Sequence, residues 1–263
     1  MPTLEARGVE LAWSELGSGP AVLLVHETAA TGAEWGLVAE ALAARARAIV
    51  YDRRGWGASS APEEYRRTTV EEQSEDAAAL IEASDAAPAI VCGAGSGAVI
   101  ALDLMLRVPE SVSGAVLIEP PVLQLLPAAT EAMSDDRRRL ETAAGAGEDP
   151  VALYLSGALP ALGPGIGRVP DALTEGARRR PGSVIAELGI AATWGMPLPR
   201  LASAEHPAAI VIAGSTPPLL RDAAGALASR LASGRLEEID SGRRPPHLGA
   251  PEEVARLALG VSS

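Results

Sequence analysis

Ala89-Ile90-Val91-Cys92-Gly93-Ala94-Gly95-Ser96-Gly97-Ala98 is the stretch whose reading decides the fold. Its apolar first half reads as a buried strand, its glycines as a tight turn, and Val99-Ile100-Ala101-Leu102 as the helix that follows. Strand, sharp turn and helix, with glycines two residues either side of the apex, is the G-x-S-x-G arrangement that holds up a nucleophilic serine. Here the flanking glycines are Gly93 and Gly97, and the apex residue is Gly95. Glycine has no side chain with which to attack, so it opens space where a serine would project.

Outward from this turn, strand-like and helix-like segments alternate. Val9–Leu16 reads as a strand, Gly17-Ser18-Gly19-Pro20 as a turn, and Ala21–His26 as an apolar run suited to a strand buried on both faces. Glu34–Ala44 has helical spacing, and Ala48–Asp52 is the next strand. Thr69–Ala83 reads as a helix in which Thr69 and Glu72 have the spacing of a capping box. After the turn at Gly95 come a helix to about Arg107 and a strand at Ala115–Ile118. Further strands are expected at Ala209–Ala213 and Leu236–Ile239, and helices at Leu219–Leu231 and Pro251–Leu259. This order implies an α/β fold, a mostly parallel sheet with helices on both faces. Between them, a stretch rich in Ala, Gly, Pro and Arg breaks the rhythm with helical pieces and no clear strand. The expected organisation is a first core part at 1–120, an inserted helical cap at 121–201, and a second core part at 202–263.

Composition narrows the function. The chain has 263 residues, 48% of them hydrophobic, enough for a substantial core. Its formal net charge is −12, and the only basic runs are short arginine groups, so nucleic acid is not an expected partner. The single cysteine, Cys92, lies in an apolar strand and reads as a core residue. There is no leader-like order at the start and no apolar run long enough to cross a membrane; a cytoplasmic protein without membrane contact is expected. Three scattered histidines and one cysteine lack metal-ligand spacing, so neither a metal nor another cofactor is expected. The oligomeric state is left open.

With these segments in order, the chain resembles the α/β-hydrolase-fold superfamily over nearly its whole length. Gly19–His26 resembles the segment leading to the oxyanion loop, and Asp52-Arg53-Arg54-Gly55-Trp56-Gly57-Ala58-Ser59 the D-x-R-G-x-G-x-S loop. The Gly95 turn, Arg107–Val112, Ile118-Glu119-Pro120-Pro121 and Pro251–Val254 match in order and spacing. The resemblance implies a Ser-acid-His triad in that chain order. Gly95 stands at the nucleophile position, Ser215-Thr216-Pro217-Pro218 where the acid is expected, and Arg244 seven residues before Pro251, where the histidine is expected. On this register the chain is an atypical member without the triad. The loop after the strand at Ala21–His26 departs too, with Glu27-Thr28 where family members commonly have glycine after the histidine. By resemblance, the oxyanion donors are the backbone N–H groups of Thr28 and Ser96.

Each candidate has two readings. Ser96 is a displaced nucleophile, or a helix-start residue whose amide faces the pocket. His247 is the catalytic histidine of a shortened loop, or a histidine at the pocket rim. Glu27 is a buried acid or base, or a solvated carboxylate. Glu119 is an acid partner, or part of the turn into the cap. Arg244 binds a substrate carboxylate, or faces solvent. Trp194 and Met196 line the pocket, or fill the core. His26 is expected to hold the oxyanion loop, and Asp52 and Arg54 to brace theirs.

Three functions follow. The first is non-hydrolytic proton transfer next to a carbonyl, that is epimerisation, isomerisation or cyclisation of a small molecule or peptide in natural-product biosynthesis. In that reading Glu27 and His247 are catalytic, and Gly95, Trp194 and Arg244 line the pocket. The second is a serine esterase-like hydrolase using Ser96 and His247. The third is a pseudoenzyme that binds a small molecule or partner without turnover.

Overall fold

The computed structural model describes residues 1–161, 171–242 and 245–261, and the side chains of all of these except 171–174. Its strands are β1 (Thr3–Ala6), β2 (Val9–Gly17), β3 (Ala21–Val25), β4 (Arg47–Tyr51), β5 (Ala89–Ala94), β6 (Val112–Ile118), β7 (Ala208–Ala213) and β8 (Gly234–Ile239). They form one sheet in the order β1-β2-β4-β3-β5-β6-β7-β8. β1 and β2 run antiparallel at one edge, and every pairing from β4 onward is parallel. Parallel neighbours need a crossover, and helices supply it.

The core helices are α1 (Gly36–Leu42), α2 (Val70–Ala83) and α3 (Ser96–Arg107), followed later by α10 (Pro218–Ala228), α11 (Pro246–Gly249) and α12 (Pro251–Gly260). Between β6 and β7 the described residues hold only helices: α4 (Ala129–Gly145), α5 (Pro150–Leu155), α6 (Asp171–Arg179), α7 (Pro181–Glu187), α8 (Ile190–Thr193), α9 (Leu198–Ser203) and a short 3₁₀ turn at Leu123–Leu125. β3, β5 and β7 are buried along their whole length because helices cover both faces, which is why they read as unbroken apolar runs.

Two local differences from the sequence reading have clear causes. β1 is too short to show a period, yet it pairs with β2 through a tight hairpin. Arg7 and Gly8, at the hairpin's centre, both have positive φ, as a type I′ turn requires. The helix expected from Glu34 instead begins as a 3₁₀ turn, Gly32–Trp35, capped by the Thr31 side chain, and α1 starts only at Gly36. The capping box on α2 forms as expected: Thr69 Oγ1 accepts the Glu72 N–H, and the Glu72 carboxylate accepts the Thr69 N–H.

Thr69→Ala removes one half of this box and is expected to cost about 1 kcal/mol of stability, read as a lower urea midpoint with an unchanged slope.

Candidate functional site

Sheet register builds the site. Val25 at the end of β3 is paired with Gly93 on β5, and Ala94 with Ile118 on β6. The residues just beyond these strand ends, Glu27, Gly95 and Glu119, therefore emerge together at the carboxyl edge of the sheet, where open α/β folds bind ligands. The first turn of α3 packs hard against the end of β3: a Cβ on Gly97 would lie 2.3 Å from the Val25 carbonyl oxygen. Both flanking glycines are thus demanded by backbone approach.

Gly95 has φ 54° and ψ −122°, a conformation that glycine adopts freely and other residues only with strain. A Cβ at this position would lie 2.6 Å from Glu27 Oε2 and 3.1 Å from Glu27 Cβ. The Glu27 carboxylate therefore occupies the seat that an apex side chain would take. It is buried at the N-terminus of α3, where the helix dipole favours negative charge.

The Glu27 peptide is held from both sides. His26 Nε2 accepts the Arg53 N–H at 2.9 Å, which places the ring proton on Nδ1; that proton is donated to the Glu27 carbonyl at 2.8 Å. Burial first, and the Arg53 charge second, hold the His26 pKa well below its ordinary value, so the ring stays neutral and keeps this tautomer. On the other side the Glu27 N–H donates to Glu34 Oε1 at 2.9 Å. His26 thus braces the loop, as the sequence implied.

Next to Glu27 runs a chain of hydroxyls. The Thr28 N–H donates to Ser96 Oγ at 2.9 Å, the two hydroxyls are 2.9 Å apart, and Thr28 Oγ1 donates to Glu187 Oε2 at 2.7 Å. Glu187, at the end of α7, also receives both terminal nitrogens of Arg53, the Trp56 indole N–H and the Gln73 amide. A carboxylate offers about four acceptor sites, so Glu187 is saturated. Arg53 and Glu187 are both buried, and this pair ties α7 to the core.

The pocket over these groups encloses a cavity of about 70 Å³, room for several waters or a small substrate group. Its polar lining includes Glu27, Thr28, Ser96, Glu119 and Tyr154, and Ile118, Leu123, Ile190 and Leu220 form apolar walls. Burial, reinforced by the Glu27 and Glu187 charges, pushes the Tyr154 hydroxyl well above its ordinary pKa, so it stays protonated. Glu119 has φ 46° and accepts a hydrogen bond from Thr216 Oγ1, which joins the ends of β6 and β7.

The sequence candidates divide accordingly. Glu27, Thr28, Gly95 and Ser96 meet in the pocket. His247 does not line it: the ring is fully buried, stacked on Trp35 with centroids 4.5 Å apart, and its Nε2 is 3.5 Å from Glu34 Oε2. No hydrogen bond joins His247 to Ser96 among the described residues. Trp194 is a core residue, its indole donating to Asp103 on α3 at 2.9 Å. The Thr28 N–H, expected as an oxyanion donor, is engaged by Ser96 Oγ. Arg244 lies outside the described residues. Asp52 braces its loop by accepting the Gly32 and Ala58 N–H groups, while Arg54 is bound at both ends of its fork by Asp76. Sequence reasoning missed Tyr154, Glu187 and Glu34. The first two lie in the helical stretch, where no strand register predicts proximity; Glu34 sat unremarked on a predicted helix. Among the described residues no cluster of His, Cys, Asp or Glu could hold a metal ion. None of the described helices is long and apolar enough to cross a membrane.

This sheet, with its strand–turn–helix at Gly95, defines a hydrolase-type α/β protein. The sequence model of the Alpha/beta hydrolase family matches residues 22–257, and the chain belongs to that family. It is 40% identical over 124 residues to a Bacillus subtilis (strain 168) protein named hydrolase YraK, an alignment spanning 47% of this chain and 46% of that protein. It is 40% identical over 112 residues to a Mycobacterium tuberculosis protein carrying the name non-heme bromoperoxidase BpoC, over 42% of each chain. The chain thus spans less than half the length of these two relatives. Among solved structures, an alpha/beta hydrolase from Sphaerobacter thermophilus DSM 20745 is similar over 100% of both chains, with a TM-score of 0.72 and 26% identity. These names correct the expectation of non-hydrolytic proton transfer. Relatives named as a hydrolase and a bromoperoxidase point away from an epimerase, isomerase or cyclase, and toward the second reading, hydrolysis.

Gly95→Ala places a methyl group in the Glu27 seat and is expected to destabilise the fold by about 1–3 kcal/mol. Glu27→Ala in the same chain should restore part of that loss. A double-mutant cycle by urea unfolding checks it; strictly additive losses would show that the two residues do not compete for one space.

Proposed function

We propose that the chain is a hydrolase of small esters, open or cyclic, in which Glu27 acts as a general base on water. The supporting observation is the Glu27 carboxylate lying in the seat left by Gly95, beside a pocket with room for water and a small substrate group. On this reading the chain lacks the Ser-acid-His triad: Gly95, the stretch Ser215-Thr216-Pro217-Pro218 and Arg244 stand at its sequence positions, and a carboxylate borne by the neighbouring loop takes over. Residues 121–201 act as the cap, and the partner is a small-molecule substrate; a cytoplasmic location goes with it.

The chemistry balances without a covalent intermediate. The oxygen of a water attacks the ester carbonyl carbon while Glu27 takes one water proton. Negative charge gathers on the carbonyl oxygen, where the Ser96 N–H at the start of α3 and the protonated Tyr154 hydroxyl are the candidate donors. The tetrahedral species collapses by breaking the bond to the alcohol oxygen, which receives the proton from Glu27. Acid and alcohol leave, and Glu27 returns to its starting state. A carboxylate suits this route because direct attack on an acyl carbon would yield an anhydride still to be hydrolysed.

Ser96 fits the nucleophile role less well. Its proton runs toward Thr28, whose own proton is donated to Glu187, and Glu187 has no spare acceptor site. In this proposal Glu27 carries the hydrolysis in place of Ser96 and His247.

With short p-nitrophenyl esters as substrates, Glu27→Gln is expected to lower kcat by about 10²–10⁴-fold, while Ser96→Ala keeps most of the rate. Loss of activity in Ser96→Ala, with Glu27→Gln active, would reverse the assignment.

A further inference from the structure

Two buried groups outside the pocket converge on the Glu27 peptide. Glu34 spends one carboxylate oxygen on the Glu27 N–H at 2.9 Å, and its other oxygen lies 3.5 Å from His247 Nε2. Both side chains are buried. Glu34 sits on the 3₁₀ turn Gly32–Trp35, itself fixed by the Thr31 side chain and by Asp52 Oδ1, which accepts the Gly32 N–H at 2.8 Å. His247 comes from α11, and its ring lies flat on Trp35, the next residue of the same turn. The far side of the Glu27 peptide is closed by the His26 Nδ1–H.

We infer that Glu34 and His247 are positioning residues: together they lock the Glu27 peptide so that its carboxylate stays in the seat over Gly95. This rests on the proposed hydrolase reading. The argument is one of geometry. A side chain on a loop after a strand has many rotamers and a mobile backbone, and a general base must be held within hydrogen-bond reach of the water it serves. Fixing the N–H and the C=O of Glu27 holds the peptide groups on both sides of its Cα and removes most of that backbone freedom. Gly95 below limits the side chain further. Glu34 supplies the acceptor, and His247, stacked on Trp35 with Nε2 3.5 Å from the other Glu34 oxygen, packs against that carboxylate. In this arrangement His247 contributes through Glu34 and never touches the substrate.

The test compares Glu34→Ala, Glu34→Gln and His247→Ala, with p-nitrophenyl acetate as substrate and with amide hydrogen exchange read across residues 24–34. Glu34→Ala is expected to speed exchange at the Glu27 amide and to lower kcat by about 100-fold, the loss that a misplacement of about 1 Å brings, with KM little changed. Glu34→Gln keeps an acceptor oxygen and should restore protection and most of kcat. His247→Ala should give the same kcat-only loss in milder form, and it carries the test if Glu34→Ala does not fold. Unchanged exchange and kcat in folded Glu34→Ala would overturn the inference. So would faster exchange with a full kcat, because the contact would then be structural only. If the wild type hydrolyses no ester, the proposed function fails, and the exchange measurement still decides whether the clamp exists.

Discussion

Above Gly95 there is room for one side chain, and two backbone positions compete to supply it. The register of β3 against β5 brings Glu27 and Gly95 together, and α3 approaches the end of β3 closely at Gly97. A side chain on residue 95 requires the Glu27 carboxylate to shift from its present place. Glycine at position 95 and glutamate at position 27 are thus linked by one packing constraint. With Glu27 in the seat, its peptide is tied to His26 and Glu34, and the next residue, Thr28, turns its N–H and hydroxyl to Ser96.

The helical stretch depends on the same corner. Glu187 closes the hydroxyl chain from Ser96 and Thr28 and neutralises Arg53 in the protein interior. Removing one partner of such a pair leaves a buried charge, which is costly, although the intact pair adds little net stability. The network therefore specifies where α7 sits more than it strengthens the fold. Tyr154 and Ile190 enter the pocket from neighbouring helices of the same stretch.

Most of the sheet was legible in the sequence, for a physical reason. Strands covered on both faces, such as Ala21–Val25 and Ala208–Ala213, have to be unbroken apolar runs, and the capping box at Thr69 and Glu72 is a local code. The apex position of Gly95 was legible too, because glycine spacing at a strand–helix turn reflects backbone approach. The partners of Glu27 were not. Nothing local marks Glu34 as the acceptor for the Glu27 N–H, or Glu187 as the end of a chain that begins at Ser96; those meetings arise from tertiary packing across 7 and 91 residues of sequence. His247 misled for a related reason. Its place before the last helix suggested the pocket, whereas tertiary packing stacks its ring on Trp35 with Nε2 3.5 Å from Glu34 Oε2.

The most direct test of the account is intact-mass spectrometry of the protein acid-quenched during turnover of p-nitrophenyl acetate. Water attack assisted by Glu27 predicts an unmodified mass throughout, in a sample that is releasing product. An acetyl adduct that builds up during turnover and maps to Ser96 would contradict it and return the site to covalent catalysis.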